Sequence, residues 1–300
     1  MSKIGIACAL LFIRFLNFLP RAVINALGSA LGLIGYYVAT QRRNVGLKNL
    51  HLCFPDMTTT QAQKIIKDHF KYLVTSALDY GIVFYGSEKK IRKYIQLKNI
   101  ENVFKYYGSQ PVIILCPHFV GLDLGAIRLS LEVVGYSVYS KQKNDSLTDK
   151  LVQARIRFFK DKGGKIFSRQ EGLRVIIKQL RETKRVFYYL PDQDFGEKDS
   201  IFVPFFAFPT CATVSALPKI VKLTNAVVVP AAVYKKGNGY EMEFFPAWEN
   251  YPTGDLTQDV IKMNKFVEDV VTKSIAQYFW LHKRFKTQPQ GERGQIYKDC

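Results

Sequence analysis

From Pro111 onward, short apolar runs alternate with stretches of helical period, and that alternation leaves few folds open. The first run, Val112 to Cys116, lies between prolines and reads as a buried strand. A helix is predicted after it to about Val134, then a strand YSVYS, a helix over 146–161 closed by Gly163-Gly164, and a short strand KIF. A helix over 170–181 leads to the buried strand RVFYYL. After a loop carrying FVPFF come a helix near 213–223, the strands AVVVPAAVY and YEMEFFPA, and a long amphipathic helix over 257–280. This order predicts an α/β sheet with helices packed on its faces. No repeat or low-complexity linker interrupts it, which points to one catalytic domain after an N-terminal element.

That element is apolar over 4–39 and divides at Pro20-Arg21. Its first half carries Arg14 and is too short for a span; its second, AVINALGSALGLIGYYVA, has about the length of a transmembrane helix. An uncleaved membrane anchor over 1–41, spanning or lying in the interface, is expected ahead of a domain over 42–300. A buried helix pair and a cleaved signal peptide are the competing readings. QRRNVGLKNLHLCFP follows as a basic connector, and Asp56-Met57-Thr58 offers N-cap chemistry for a helix to about Tyr85. Lys89 to Tyr94 reads as a basic surface run.

A net charge of +18 calls for an anionic partner, and 14% aromatic residues beside it suit an anionic membrane surface. Nucleic acid is disfavoured, because the basic residues are spread along the chain without a recognition motif. Five cysteines, none in C-x2-C spacing, predict buried thiols in a reducing compartment and no zinc site.

In such sheets ligands gather beyond the carboxyl ends of the strands, and three polar clusters fall there. His118 and Asp123 follow the first strand. Five residues on one helix would set them roughly 140° apart, so they meet only if His118 sits in the turn and Asp123 in the first helical turn. A carboxylate so placed takes one imidazole N–H and leaves the other nitrogen to accept a proton. Cys116 sits on the strand and no nucleophile is suitably placed, so the attacking hydroxyl belongs to the substrate. Arg169 follows KIF, either as a planar fork for phosphate or as a surface partner of Glu171. Asp192, Gln193 and Asp194 follow RVFYYL; an Asx turn, a pairing with Arg169, a sugar hydroxyl and a divalent metal all suit that triplet. Phe202 to Phe208 reads as an acyl groove or as core, and WLHKRFKTQP as a basic tail or a second phosphate contact. His282 is taken as structural.

Together HFVGLD, GGKIFSR, LPDQDFGEKDSIFVPFF, AVVVP, YFWLHKRFKTQP and RRNVGLKNLHLCFP resemble the late acyltransferases of lipid A biosynthesis, a branch of the lysophospholipid acyltransferase superfamily. The likeness runs from about residue 42 to 290. It implies a mixed, largely parallel sheet of the glycerolipid acyltransferase type behind an N-terminal membrane-anchoring helical segment. It also implies an enzyme at the bacterial inner membrane, facing the cytoplasm, that moves a fatty acyl chain from acyl carrier protein to a hydroxyl of a lipid A precursor without a cofactor. His118 maps onto the catalytic histidine, Asp123 onto its carboxylate partner and Arg169 onto a substrate contact; Asp192, Gln193 and Asp194 are expected to bind substrate. Another acceptor, a lysophospholipid or glycolipid, is the second reading, and a non-catalytic basic membrane-binding protein the third.

Overall fold

A computed structural model describes residues 3–140, 144–289 and 295–300. Two apolar helices open the chain, α1 (Lys3–Leu16) and α2 (Arg21–Val38), followed by α3 (Thr40–Cys53) and α4 (Thr59–Leu78). The expected cap of α4 falls on Thr58, whose hydroxyl and Gln61 side chain form a capping box. The helix expected to reach Tyr85 breaks at Asp79, giving α5 (Tyr80–Tyr85), and the basic run forms α6 (Glu88–Tyr94). Strand β1 (Ile95–Lys98) and helix α7 (Glu101–Phe104) then lead to β2 (Val112–Leu115), α8 (Leu122–Leu129), β3 (Gly135–Tyr139) and α9 (Asp145–Ile156). The chain continues through β4 (Lys165–Ser168), α10 (Leu173–Thr183), β5 (Val186–Tyr189), β6 (Ser200–Phe205), β7 (Phe208–Val214) and α11 (Ala216–Thr224). It closes with β8 (Val227–Lys236), β9 (Gly239–Phe244) and α12 (Leu256–Lys273).

The described strands form a sheet in the order β1-β9-β8-β2-β5-β3-β4, parallel throughout except for β8 against β9. β2 is central and apolar at every position, because a parallel strand covered on both faces has no side for water. Its Val112 and Ile114 pack towards α5, α8 and α9, while Ile113 and Leu115 pack towards α10, α11 and α12. The mixed, mostly parallel architecture with flanking helices is the expected one.

Two segments depart from the expected elements. Residues 200–214 form a separate antiparallel hairpin, so Thr213 lies in a strand and not at the start of a helix. Pro204, which cannot donate to a ladder, coincides with the register shift between Val203 and Phe205. The last long helix stops at Lys273, where Ser274 leaves helical conformation. Tyr278 to Trp280 instead run back beside the end of β2, with Phe119 bridging Tyr278.

One described helix, Arg21–Val38, is long and apolar enough to cross a membrane. One of its faces is not free. Gly28 and Gly32 let α2 lie directly on α4: a Cβ at Gly32 would stand 2.5 Å from the Cα of Lys71. At its first residue, Arg21 forms a buried bidentate pair with Asp79, which also accepts a 2.6 Å hydrogen bond from Tyr240. The opposite face leaves Leu27, Leu31, Ile34 and Tyr37 exposed, as α1 does with Leu11, Phe12 and Phe15.

His69 on α4 is wholly buried, and its Nδ1–H donates to the Ala276 carbonyl at 2.9 Å. Burial holds this imidazole down to about 4, against a smaller opposing effect of that hydrogen bond. The unfolded chain takes up a proton below about pH 6.5 that the folded one refuses until about pH 4. Stability is therefore full above about pH 6.5 and falls with acidification through that window, by about 2 kcal/mol from this residue at pH 5. His69→Asn, whose amide N–H can replace Nδ1–H, should flatten the decline of melting temperature between pH 7 and pH 5. An identical decline in the variant would refute the assignment.

Candidate active site

His118 stands just beyond β2, where the chain must turn before α8 can start, and its backbone is held on both sides. Its N–H donates to Asp192 Oδ2 at 2.9 Å, and its carbonyl accepts from Phe279 N–H at 2.8 Å. The Phe279 bond explains why α12 has to end early: the segment after it forms a wall of the site. Asn49 on α3 secures that wall by donating to the carbonyls of Trp280 and His282, each at 2.7 Å.

The ring is held by the same carboxylate that takes the backbone. His118 Nδ1 lies 2.7 Å from Asp192 Oδ1, and Asp192 is 3% exposed. Burial alone would raise the Asp192 pKa, but His118, through charge and two hydrogen bonds, holds the carboxyl below its ordinary value. An ionised carboxylate only accepts, so the proton resides on Nδ1 and Nε2 carries the lone pair. His118 itself lines a cavity of about 1040 Å³.

This corrects the expected pairing. Asp123 lies in the first turn of α8 as anticipated and lines the same cavity, but its hydrogen bonds go elsewhere. Arg155 on α9 donates to Asp123 Oδ2 at 2.7 Å, and Tyr80 on α5 donates to the same oxygen. Burial works to raise the Asp123 pKa, and Arg155 with Tyr80 and the nearby His118 more than offset it, so the carboxyl is depressed. Asp123 is thus an ionised, paired charge beside His118 and not the group that orients it. Spacing allowed the contact with His118, but Arg155 and Tyr80 supply two charge-matched donors that reach Asp123 directly.

The DQD triplet separates into three roles. Asp192 holds His118, Gln193 lines the cavity, and Asp194 turns away into the core. Asp194 accepts from the Thr287 N–H and hydroxyl, both at 2.9 Å, and its own N–H donates to His282 Nε2 at 3.1 Å. Substrate contact by Asp194 is therefore corrected to an anchor for the C-terminal segment, and the two acids do not act as a pair. Burial and the cations nearby lower the His282 pKa to about 4, in keeping with a neutral acceptor.

WLHKRFKTQP is likewise no exposed tail. Arg284 is buried and donates to the Ala212 carbonyl and, at 2.9 Å, to the Thr213 hydroxyl. The aromatics of 202–208 do not form the groove either: Phe205 is fully buried against Phe285, and Phe206 stacks on Phe54.

Arg169 lines the cavity with its guanidinium 3.9 Å over the Phe195 ring. Glu171, its suggested partner, instead accepts from the Ser168 N–H at 2.7 Å. Among the described residues, no carboxylate pairs with Arg169. Cys116 is no nucleophile, since burial raises its thiol to about 12. The backbone donors of Val120 and Leu122 are also spent, on the carbonyls of Gln277 and Phe119.

Tyr80, Arg155, Asn49 and the backbone of Phe279 escaped sequence reasoning. Asn49 and Phe279 lie in motifs quoted above, but their contacts do not follow from those motifs; each of the four reaches the site from a distant element, and only the fold brings them together.

Comparison with known proteins gives a consistent picture. The family described as "Bacterial lipid A biosynthesis acyltransferase" matches residues 2–287. The chain is 30% identical over 277 residues to the "Lipid A biosynthesis palmitoleoyltransferase" of Escherichia coli (strain K12), covering 91% of this chain and 88% of that protein. To the "Lipid A biosynthesis lauroyltransferase" of the same organism it is 29% identical, again covering 91% and 88%. A "Lipid A biosynthesis acyltransferase" of Haemophilus influenzae is 32% identical, covering 96% of this chain and 89% of that one. Among solved structures, the 1-acyl-sn-glycerophosphate acyltransferase of Thermotoga maritima overlaps distantly, with 14% identity and a TM-score of 0.37 over 85% of this chain and 97% of that one.

The geometry separates the two carboxylates experimentally. Asp192→Asn keeps size but puts an amide where His118 needs two acceptors, so turnover should fall by about 100-fold or more. Asp123→Asn should lower the rate less. An unchanged rate for Asp192→Asn, in protein with a wild-type melting temperature, would contradict the assignment.

Proposed function

The chain belongs to the bacterial lipid A biosynthesis acyltransferase family, and on that premise we propose that it moves a fatty acyl chain from acyl carrier protein onto a hydroxyl of an acyl chain on a lipid A precursor. The observation that carries the mechanism is one contact: Nδ1 of His118 rests on ionised Asp192 at the edge of a cavity with largely apolar walls.

Nε2 takes the proton of the acceptor hydroxyl as its oxygen attacks the thioester carbonyl carbon. Asp192 stabilises the imidazolium that forms, and ionised Asp123 adds a second negative charge nearby. The tetrahedral intermediate collapses with cleavage of the C–S bond, and the departing sulfur takes the proton from Nε2. The products are an ester and the free carrier thiol, and His118 returns to its starting tautomer. General-base assistance of this kind contributes about 10²–10⁴ in rate.

The working location in this reading is the bacterial inner membrane, with the site facing the cytoplasm. Its support is the exposed apolar face of α1 and α2 and the net charge of +18. Arg169, which pairs with no carboxylate among the described residues and is set at the cavity, suits a substrate phosphate.

The test uses full-length protein in lipid nanodiscs with acyl groups on carrier protein. Lipid A precursor, a lysophospholipid and a glycolipid serve as parallel acceptors. Transfer to the lipid A precursor is expected, and His118→Ala should lower it by about 100-fold or more with the melting temperature preserved. Transfer only to another acceptor would move the substrate assignment, and full activity of folded His118→Ala would remove the mechanism.

A further inference from the structure

The cavity at His118 lies on both faces of the sheet. Successive residues of a strand point to opposite faces, so a cavity on one face would be lined by every second residue. Here all of Gly135 to Tyr139 in β3 line it, and so do all of Val186 to Tyr189 in β5. On one side the lining continues onto α8 and the segment after it, with Ala126, then Ser130 and Val133; on the other it continues onto α10 and α11, with Ile176 and Ala216.

Strand pairing shows where the two sides join. β3 and β5 are registered only from Gly135↔Val186 to Ser137↔Tyr188. Beyond that point β3 follows β4 to Tyr139↔Ser168, while β5 follows β2 to Leu115↔Tyr189. The two strands therefore part at their carboxyl ends, beside the turn that carries His118. Two lobes thus reach one histidine.

The reaction in the preceding subsection, on which this inference rests, needs two hydrocarbon chains at one point: the chain being moved and the chain that bears the hydroxyl. We propose that the lobes divide them, the α10/α11 lobe holding the donor chain and the α8/α9 lobe holding the acceptor's hydroxylated chain.

Charge and position set this assignment. The α10/α11 lobe is flanked by Arg169, Arg174, Lys198 and Lys219, with Asp199 the acid among them. Among the described residues none of these four cations is in an ion pair, so the rim matches an acidic carrier protein. The α8/α9 lobe lies on the side of α5, to which α1 is closely applied: a Cβ at Gly81 would stand 2.8 Å from the Ile13 carbonyl oxygen. α1 exposes Phe12 and Phe15, and Phe18 just after it is exposed as well. An acceptor held in a membrane therefore reaches the α8/α9 lobe by the shorter path.

One filling substitution per lobe tests the division in full-length protein, with carrier-bound donors of 10 to 16 carbons and one hydroxyacylated acceptor. Ala216→Phe should lower kcat/KM for the longest donors by about 10-fold or more relative to the shortest, leaving the acceptor KM unchanged. Ala126→Phe should raise the acceptor KM by a similar factor and leave the ranking of donors as in wild type. Donor ranking altered by Ala126→Phe and untouched by Ala216→Phe would reverse the lobes and overturn the assignment. Donor ranking altered equally by both would mean a single chain site and overturn the division itself. Ala126→Leu and Ala216→Leu stand in if either phenylalanine lowers the melting temperature. Failure of the wild-type protein to transfer any acyl chain would instead sink the function on which the inference is built.

Discussion

One buried carboxylate holds this candidate active site together. Asp192 closes the end of β5 onto the end of β2 by accepting from both the backbone and the ring of His118. Buried carboxylates are costly unless they are paired and hydrogen-bonded; here His118 supplies two hydrogen bonds and buried Arg284 a nearby positive charge. The histidine is consequently fixed in position, orientation and tautomer by one group. The bond from Phe279 N–H to the His118 carbonyl makes that position depend on the C-terminal segment as well. That segment is in turn held by Asn49, Asp194 and Arg284. Residues far from the reaction thus set where Nε2 stands.

The second carboxylate answers a different demand. Asp123 is shared by Arg155 and Tyr80, so three helices meet at one charge beside the histidine. The arrangement keeps a negative charge in place without letting it compete for the imidazole proton. It also ties α5, on which α1 packs, to the reaction site. Contact with the apolar N-terminal helices and catalytic geometry are therefore linked through packed side chains.

Relatives of similar identity carry lauroyl and palmitoleoyl in their names, so overall likeness to this family does not set the chain that is moved. A strand pair that parts after three registered residues gives the fold two apolar approaches to one histidine. Small residues such as Ala126 and Ala216 on their walls are places where one side chain changes the space available.

Much of this was legible in the chain itself. Alternation from Pro111 onward predicted the flanked, mostly parallel sheet, because strands covered on both faces have to be apolar at every position. The prolines around VIILC marked the central strand, and its end marked His118. Local patterns also located Arg169, Gln193 and Asp123 at strand or helix ends, and the cavity lies there. What the sequence could not decide was which polar group meets which. His118 has Asp123 five residues away and Asp192 seventy-four away, and the distant one holds it. Arg284 read as part of a basic tail or a phosphate contact and is core; Phe205 suited a groove or the core, and packing decided for the core. Period and composition record which side chains avoid water, a local and additive property. Partner choice depends on where separate elements end in space, and only the packed tertiary structure decides that.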